Sequence, residues 1–245
     1  MRTETIKFPD QESVGVFPEE RSDLAQAIEE LGLLGEHPVI VLIGGEITEK
    51  QMDVTRLAIQ FIAQTAEDMN AIILCGGTDL GVMAEIGHVR SQNGYKFPLV
   101  GITLEELVTW PGGPISMKFL GLGKERWQLG SHYSHFILVP GSQLGDESIW
   151  IGDAAHQLSK GHQSVTILIN GEEVSRKDIE VSLENGRPVI VLSNTGKLAD
   201  ELARQTERNS LITVVPVVAK HSIAEDLRAA LSVNEKGENS LIGRD

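Results

Sequence analysis

Four short stretches of this 245-residue chain set glycine beside hydroxyl, amide or amine side chains, the composition of a loop that can hold an anion. They are Gly44-Gly45-Glu46, Gly76-Gly77-Thr78-Asp79-Leu80-Gly81, Pro140-Gly141-Ser142 with Gly145 beyond, and Ser193-Asn194-Thr195-Gly196-Lys197. Each follows a run of apolar residues and precedes a segment with helical character. Glycine permits positive φ and close backbone approach, and a helix start behind it offers free N–H groups and partial positive charge, which together suit phosphate. One such loop is an ordinary turn. Four at equivalent places point to a nucleotide-like ligand, the alternative being that the glycines only make tight strand-to-helix turns.

A fifth stretch supports the first reading. Thr109 to His132 is long, glycine-rich and without periodicity, and it carries Lys118, Lys124 and Arg126 together with Trp110 and Trp127. A connection of that length is usually functional, and a cationic, aromatic lid would stack a base and neutralise phosphate. The competing reading is that the tryptophans pin the loop to the core. Other candidates carry less. Glu147 and Asp153 (with Asp146) are placed for acid–base work, although acids in a first helical turn ordinarily serve the helix dipole. His132 and His135 are poorly spaced for one metal ion and have no carboxylate or thiol cluster beside them, so no metal is expected. Cys75, the single cysteine, reads as a small buried residue, and no serine nucleophile elbow is present.

Positioning these loops requires alternating strands and helices. Val14–Phe17, Val39–Ile43, Ala71–Cys75, Pro98–Thr103, Ser134–Val139, Ser164–Ile169, Pro188–Leu192 and Ile212–Val218 read as strands. Helices are expected over 22–34, 52–69 (with Thr48 and Gln51 at capping-box spacing), 80–93, 146–160, 172–184, 197–206 and 222–231. Alternation through short connections predicts an α/β fold: a Rossmann-like, doubly wound, mainly parallel sheet of about seven strands with helices on both faces. No linker divides the chain. Residues 1–233 are expected to form one nucleotide-binding domain, and 234–245 a flexible tail.

Composition narrows the partners. Acidic residues outnumber basic ones 35 to 21, for a net charge of −14, with no basic block. That disfavours nucleic acid and anionic membranes as partners. One cysteine, no leader pattern and no long apolar run predict a cytoplasmic protein.

The run Ile73-Leu74-Cys75-Gly76-Gly77-Thr78-Asp79-Leu80-Gly81-Val82-Met83 resembles the second glycine loop of the SMF/DprA–Lonely-guy (SLOG) superfamily. It is most similar to the version in the cytosolic N-terminal (LSDAT) domain of melastatin-type TRP channels. His132 to Val139, Thr166 to Gly171 and Pro188 to Ala203 resemble further segments of that domain in the same order, and Trp110 falls where it has a tryptophan. The resemblance covers about Val39 to Leu202, without channel segments, as in free-standing prokaryotic forms. It implies a sensor of a nucleotide-derived ligand such as ADP-ribose, signalling to an effector protein and working as a homo-oligomer, a dimer by analogy.

Carried over residue by residue, Gly76, Gly77, Thr78 and Gly81 would contact phosphate, with Thr195, Gly196 and Lys197 from the later loop. Gly44, Gly45, Asp79, Trp110, Lys118, Arg126, Gly141, Ser142 and Asn194 complete the expected ligand set. Asp79 replaces an amide, Asn194 a glycine and Lys197 an arginine. The Lonely-guy enzymes carry P-G-G-x-G-T-x-x-E, whereas here Pro140 to Ile149 has one extra residue and Ile149 where the glutamate belongs. The sequence therefore reads as a binding domain with no required cofactor. The alternative is a phosphoribohydrolase-type nucleosidase with Glu147 or Asp153 standing in for that glutamate.

Overall fold

A computed structural model describes residues 1–114, 126–160, 163–205 and 209–232. Its centre is a nine-stranded sheet. In chain order the strands are β1 (Arg2–Lys7), β2 (Glu12–Phe17), β3 (Val39–Gly44), β4 (Ile72–Cys75), β5 (Leu99–Leu104), β8 (His135–Val139), β9 (Ser164–Ile169), β10 (Val189–Ser193) and β11 (Ile212–Pro216). Two further short strands, β6 (Val108–Thr109) and β7 (Trp127–Gln128), pair outside it. The helices are α1 (Leu24–Glu30), α2 (Glu49–Asp68), α3 (Gly81–Asn93), α4 (Ser148–Ser159), α5 (Glu173–Glu184), α6 (Lys197–Arg204) and α7 (Lys220–Leu231). No helix among the described residues is long and apolar enough to cross a membrane.

The sheet order is β1-β2-β8-β5-β4-β3-β9-β10-β11, and every pairing is parallel except β1 with β2. The chain starts the parallel sheet at β3, builds outward through β4, β5 and β8, then returns to β9 on the other side of β3. Continuous apolar runs such as Val39-Ile40-Val41-Leu42-Ile43 are fully buried because helices cover both faces. On one face α2, α3 and α7 pack over Ile40, Leu42, Ile73 and Ile167. On the other, α1, α4, α5 and α6 pack over Val39, Val41, Leu74 and Leu168.

The expected class holds, with nine strands rather than about seven. The missed strand is β1, whose exposed, charge-rich sequence buries one residue, Ile6. Strand β2 inserts beside β8 and carries β1 as a hairpin onto the sheet edge. The first helix is shorter than its periodicity suggests. A 3-10 turn at Arg21–Asp23 comes first, with the Glu20 and Asp23 side chains forming a capping box. The helix ends at Glu30 with Leu31 as its C-cap, and Gly32, at φ +70°, comes next. Thr48 does precede α2, but its hydroxyl donates to the Gln51 side chain (2.6 Å) instead of completing a capping box.

Candidate functional site

The order reversal at β3 leaves a crevice beyond the carboxyl ends of the strands, where open α/β sheets hold ligands. Loop geometry there depends on Asn170, at the end of β9. Its φ of +50° turns the chain, and its side chain is buried. Oδ1 accepts from Gly45 N–H (2.7 Å), and Nδ2 donates to the Glu46 carbonyl (2.7 Å). Asn170 also accepts from Gly171 N–H through the same oxygen. The loop after β3 is thereby stitched to the loop after β9, on opposite sides of the crevice. In sequence Asn170 reads only as a turn residue.

Two glycines let α3 press into this arrangement. Gly81 has φ +51°, and a Cβ there would lie 2.2 Å from the Gly45 carbonyl oxygen. At Gly44 a Cβ would meet Val82 Cγ2 at 2.6 Å and the Ile169 carbonyl at 2.8 Å. These glycines serve the close packing of loop on helix. Val82 N–H donates to the Gly45 carbonyl (3.2 Å), so the start of α3 is bonded to the β3 loop.

The result is a cavity of about 460 Å³, the size range of small-ligand sites. Its walls come from the ends of β3 (Val41 to Glu46), β4 (Cys75, Gly76 and Thr78) and β5 (Thr103, Leu104), from Trp127, and from the starts of α3, α4 and α5. Leu80 and Leu144 stand at its border and are 40% and 57% exposed, unusual for leucines that could pack. Four carboxyl groups line it: Glu46, Glu147, Glu172 and Asp178. No lysine, arginine or histidine does so among the described residues. Lys197, outside the lining, pairs with Glu172.

The two inner carboxyls differ from ordinary ones. Glu147 Oε2 accepts from Gly145 N–H (2.8 Å), yet burial pushes the Glu147 carboxyl up from its usual range. Burial pushes Asp178 up to about 7, with Glu147 adding repulsion, while Ser148 and Lys177 partly offset the rise. Asp178 Oδ1 and Ser148 Oγ are both shut off from solvent, and the Ser148 hydroxyl is the side-chain donor beside Asp178. Cys75 reaches the same cavity, but its thiol faces the Tyr133 hydroxyl (3.0 Å), and burial pushes it up to about 11. A thiol so held is inert, a packing residue as its position suggests.

Of the residues singled out in the sequence, Gly44, Gly45, Gly76, Thr78 and Glu147 meet at the cavity. Gly77, with φ +73°, backs against Gly101 (a Cβ would lie 2.6 Å from its Cα) and turns away from the crevice. Asp79 is exposed, and its N–H donates to the Gln128 carbonyl (2.8 Å). Gly81 serves packing, as described. In the loop after β8 the amides of Ser142 and Gln143 donate to Asp146 Oδ2 (3.2 and 3.1 Å). The chain's own carboxylate fills the place an anion would take. Gly141, at φ +147°, accommodates Leu104 and Asp146.

The loop before α6 is likewise self-satisfied. Asn194 N–H donates to Asp200 Oδ1 (2.6 Å), and Ala199 N–H to the Asn170 carbonyl (2.8 Å). The buried Thr195 hydroxyl donates to the Leu192 carbonyl (2.6 Å) and accepts from Asn170 N–H (2.8 Å). Gly196, at φ +96°, is the N-cap of α6. Asn194, Thr195, Gly196 and Lys197 thus shape a strand-to-helix turn outside the cavity.

The lid separates into parts. Trp110 is buried against Phe17 (ring centroids 5.6 Å apart), and Arg126 donates to the carbonyls of Glu105 (3.1 Å) and Val108 (2.9 Å). Both border a different depression, beside Arg2 and Glu105. Trp127 alone of the lid candidates in the described residues reaches the main cavity. Lys118 and Lys124 lie outside the described residues. Asp153 pairs with Arg21 on the outer side of α4, which removes it from the acid–base candidates. No group of three potential metal ligands occurs among the described residues.

Sequence reasoning missed Asp178 and Asn170. An acid inside a helix reads as part of its solvated face, and only the packing of α5 against α4 shows otherwise.

The family model described as "SLOG in TRPM, prokaryote" matches residues 37–238. The chain belongs to this SLOG family. The match begins after the β1–β2 hairpin and contains every wall of the cavity. A comparison with curated proteins returns no match. Among solved structures, the SLOG chain is similar to a molybdenum cofactor binding protein from Rippkaea orientalis (TM-score 0.55, 14% identity, covering 81% of this chain and 100% of that one). It is also similar to the molybdenum cofactor carrier protein from Chlamydomonas reinhardtii (0.50, 19%, 79% and 99%) and to the structural-genomics target TM1055 (0.52, 17%, 77% and 98%). At such identities the likeness establishes the shared Rossmann-like fold.

Proposed function

We propose that this SLOG chain is a binding domain for a nucleotide-derived small molecule of the general build of ADP-ribose, a fused-ring base carried on a phosphorylated sugar. The observation that carries the reading is the cavity at the order reversal of the sheet, walled by three strand ends and three helix starts. Its acidic inner wall excludes the phosphate from the interior by repulsion. The ring therefore goes in, against Val41, Ile43, Met83 and Ile151, and the phosphate stays out toward Gly76, Thr78 and the start of α3. The similar molybdenum cofactor carrier and binding proteins support this reading as far as a small-molecule ligand held by the same fold.

The test is a thermal-shift and titration panel of ADP-ribose, cyclic ADP-ribose, AMP, GMP, ATP and NAD. Ligand at a hundredfold over Kd adds about 2.7 kcal/mol of stability. Val174→Trp, in the first turn of α5, should fill the cavity and remove the shift without lowering the ligand-free melting temperature by more than a few degrees. A panel without any shift, or an unchanged shift in that variant, overturns the proposal.

A second reading rests on Glu147 and Asp178, two carboxyls that line a ligand-sized cavity and that burial pushes up from the usual carboxylate range. Such groups can protonate a leaving base, as a nucleosidase requires. Chromatography of each incubated mixture decides: free base lost in Glu147→Gln favours hydrolysis, and intact nucleotide favours binding alone.

A further inference from the structure

Trp127 is the one aromatic ring that lines the cavity among the described residues. The chain has two other tryptophans, and both are buried, Trp110 against Phe17 and Trp150 within α4. Trp127 is only half-buried. It packs against the core cluster that holds Leu104, Leu107 and Ile151, three residues that line the cavity with it. A large apolar ring left partly uncovered beside a ligand-sized space can seat a flat heterocycle.

The backbone that carries this ring is fixed from two directions. Toward the segment after β5, Arg126 donates to the carbonyls of Glu105 (3.1 Å) and Val108 (2.9 Å), Trp127 pairs with Val108, and Leu129 N–H donates to the Thr109 carbonyl (3.0 Å). Toward the loop after β4, Asp79 N–H donates to the Gln128 carbonyl (2.8 Å) and Gly130 N–H to the Gly77 carbonyl (2.9 Å), and Thr78 forms a bridge with Leu129. Residues 126–130 are therefore a strap tied to the same loop that brings Gly76 and Thr78 to the cavity. A ring held this way needs little further ordering when a ligand arrives.

We infer that Trp127 is the residue on which the ligand's base stacks, so that the cavity selects a nucleotide by the aromatic face of its base. This deepens the reading of the chain as a nucleotide-binding domain and rests on it. The aliphatic walls accept any apolar group of suitable size. An indole face adds an attraction that only another aromatic face returns, and that attraction grows with the area of overlap. A two-ring base should therefore be held more tightly than a one-ring base on the same sugar phosphate.

The experiment is isothermal titration of the full chain with AMP, CMP and ADP-ribose, alongside tryptophan emission at saturating nucleotide. Nucleotide should quench the wild-type emission. The quench should vanish in Trp127→Phe, where only Trp110 and Trp150 emit, although titration still shows binding. Trp127→Phe should hold AMP within about threefold of wild type, and Trp127→Leu about tenfold more weakly with the preference for AMP over CMP lost. Melting temperatures of the ligand-free variants are measured alongside. Unchanged wild-type emission at saturation, or nucleotide affinity in Trp127→Leu equal to that of wild type, overturns this inference and leaves the nucleotide-binding reading standing. Failure of all three probes to bind the wild type overturns both.

Discussion

Gly81 and Gly94 share a left-handed backbone but differ in what surrounds them. Gly94 caps the end of α3 at φ +68°, with nothing within 4 Å of where a Cβ would be. Gly81 begins the same helix at φ +51°, and a Cβ there would sit 2.2 Å from a carbonyl. Gly94→Ala should cost about 1 kcal/mol, the ordinary penalty for a side chain in that conformation. Gly81→Ala should cost about 3 kcal/mol or more, since the β3 loop must also move. Urea unfolding of both variants checks this, and equal losses would mean that the α3 start is not held as tightly as described. Asn170→Ala removes bonds to three backbone groups of the two crevice loops. At about 1 kcal/mol per bond, it should cost about 2–3 kcal/mol. It should also raise amide exchange at Gly45 and Gly171 before that of the core strands.

At the scale of elements, the loops that look most alike in sequence behave differently. Those after β4 and β3 bring their glycines to the cavity, the loop before α4 reaches it only through Leu144 and Glu147 while its amides bond Asp146, and the loop before α6 stays outside and bonds Asp200. Thr195→Val should destabilise by about 1–3 kcal/mol, because it orphans the Leu192 carbonyl and Asn170 N–H. Lys197→Ala, which breaks an exposed pair with Glu172, should change stability by less than about 1 kcal/mol and leave ligand affinity within about threefold. A large affinity loss in titration would return that loop to the site. Strands such as Val39–Gly44 and Ser164–Ile169 were legible because burial on both faces demands unbroken apolar runs. Glycine positions were legible too, but which of them face a ligand was not. That depends on whether a distant carboxylate such as Asp200 already bonds the neighbouring amide, and no spacing rule encodes it. Strand β1 escaped notice because an edge hairpin with one buried side chain has no apolar pattern to read.

The whole molecule should titrate in two opposing senses. Burial holds His135 at about 4, below its ordinary range, so its contribution is full above the unfolded value near 6.5 and is lost as pH falls toward 4. Asp178 is raised to about 7, so the folded state is penalised progressively as pH climbs from about 4 to 7. Over pH 4–6.5 the two slopes oppose each other, and between 6.5 and 7 only the Asp178 slope remains. In Asp178→Asn the melting temperature should rise from pH 4 to 6.5 and then level off, above the wild type at pH 8. A wild-type profile identical to that of the variant would show that Asp178 titrates normally.

The β1–β2 hairpin lies before the region matched by the family model, yet it joins the central sheet through β8. Val14 pairs with His135 and Val16 with Ile137, more than a hundred residues later. During synthesis the hairpin therefore waits unpaired until β8 has left the ribosome, and β8 in turn has one free edge until the hairpin arrives. An unpaired parallel strand edge invites pairing with another chain. The hairpin is thus the late-arriving cover of the sheet, and its charged outer strand, with Arg2, Glu4 and Lys7, makes the final edge a poor template for a second copy. A chain shortened to begin at Glu19 should keep the cavity but associate through β8 as its concentration rises.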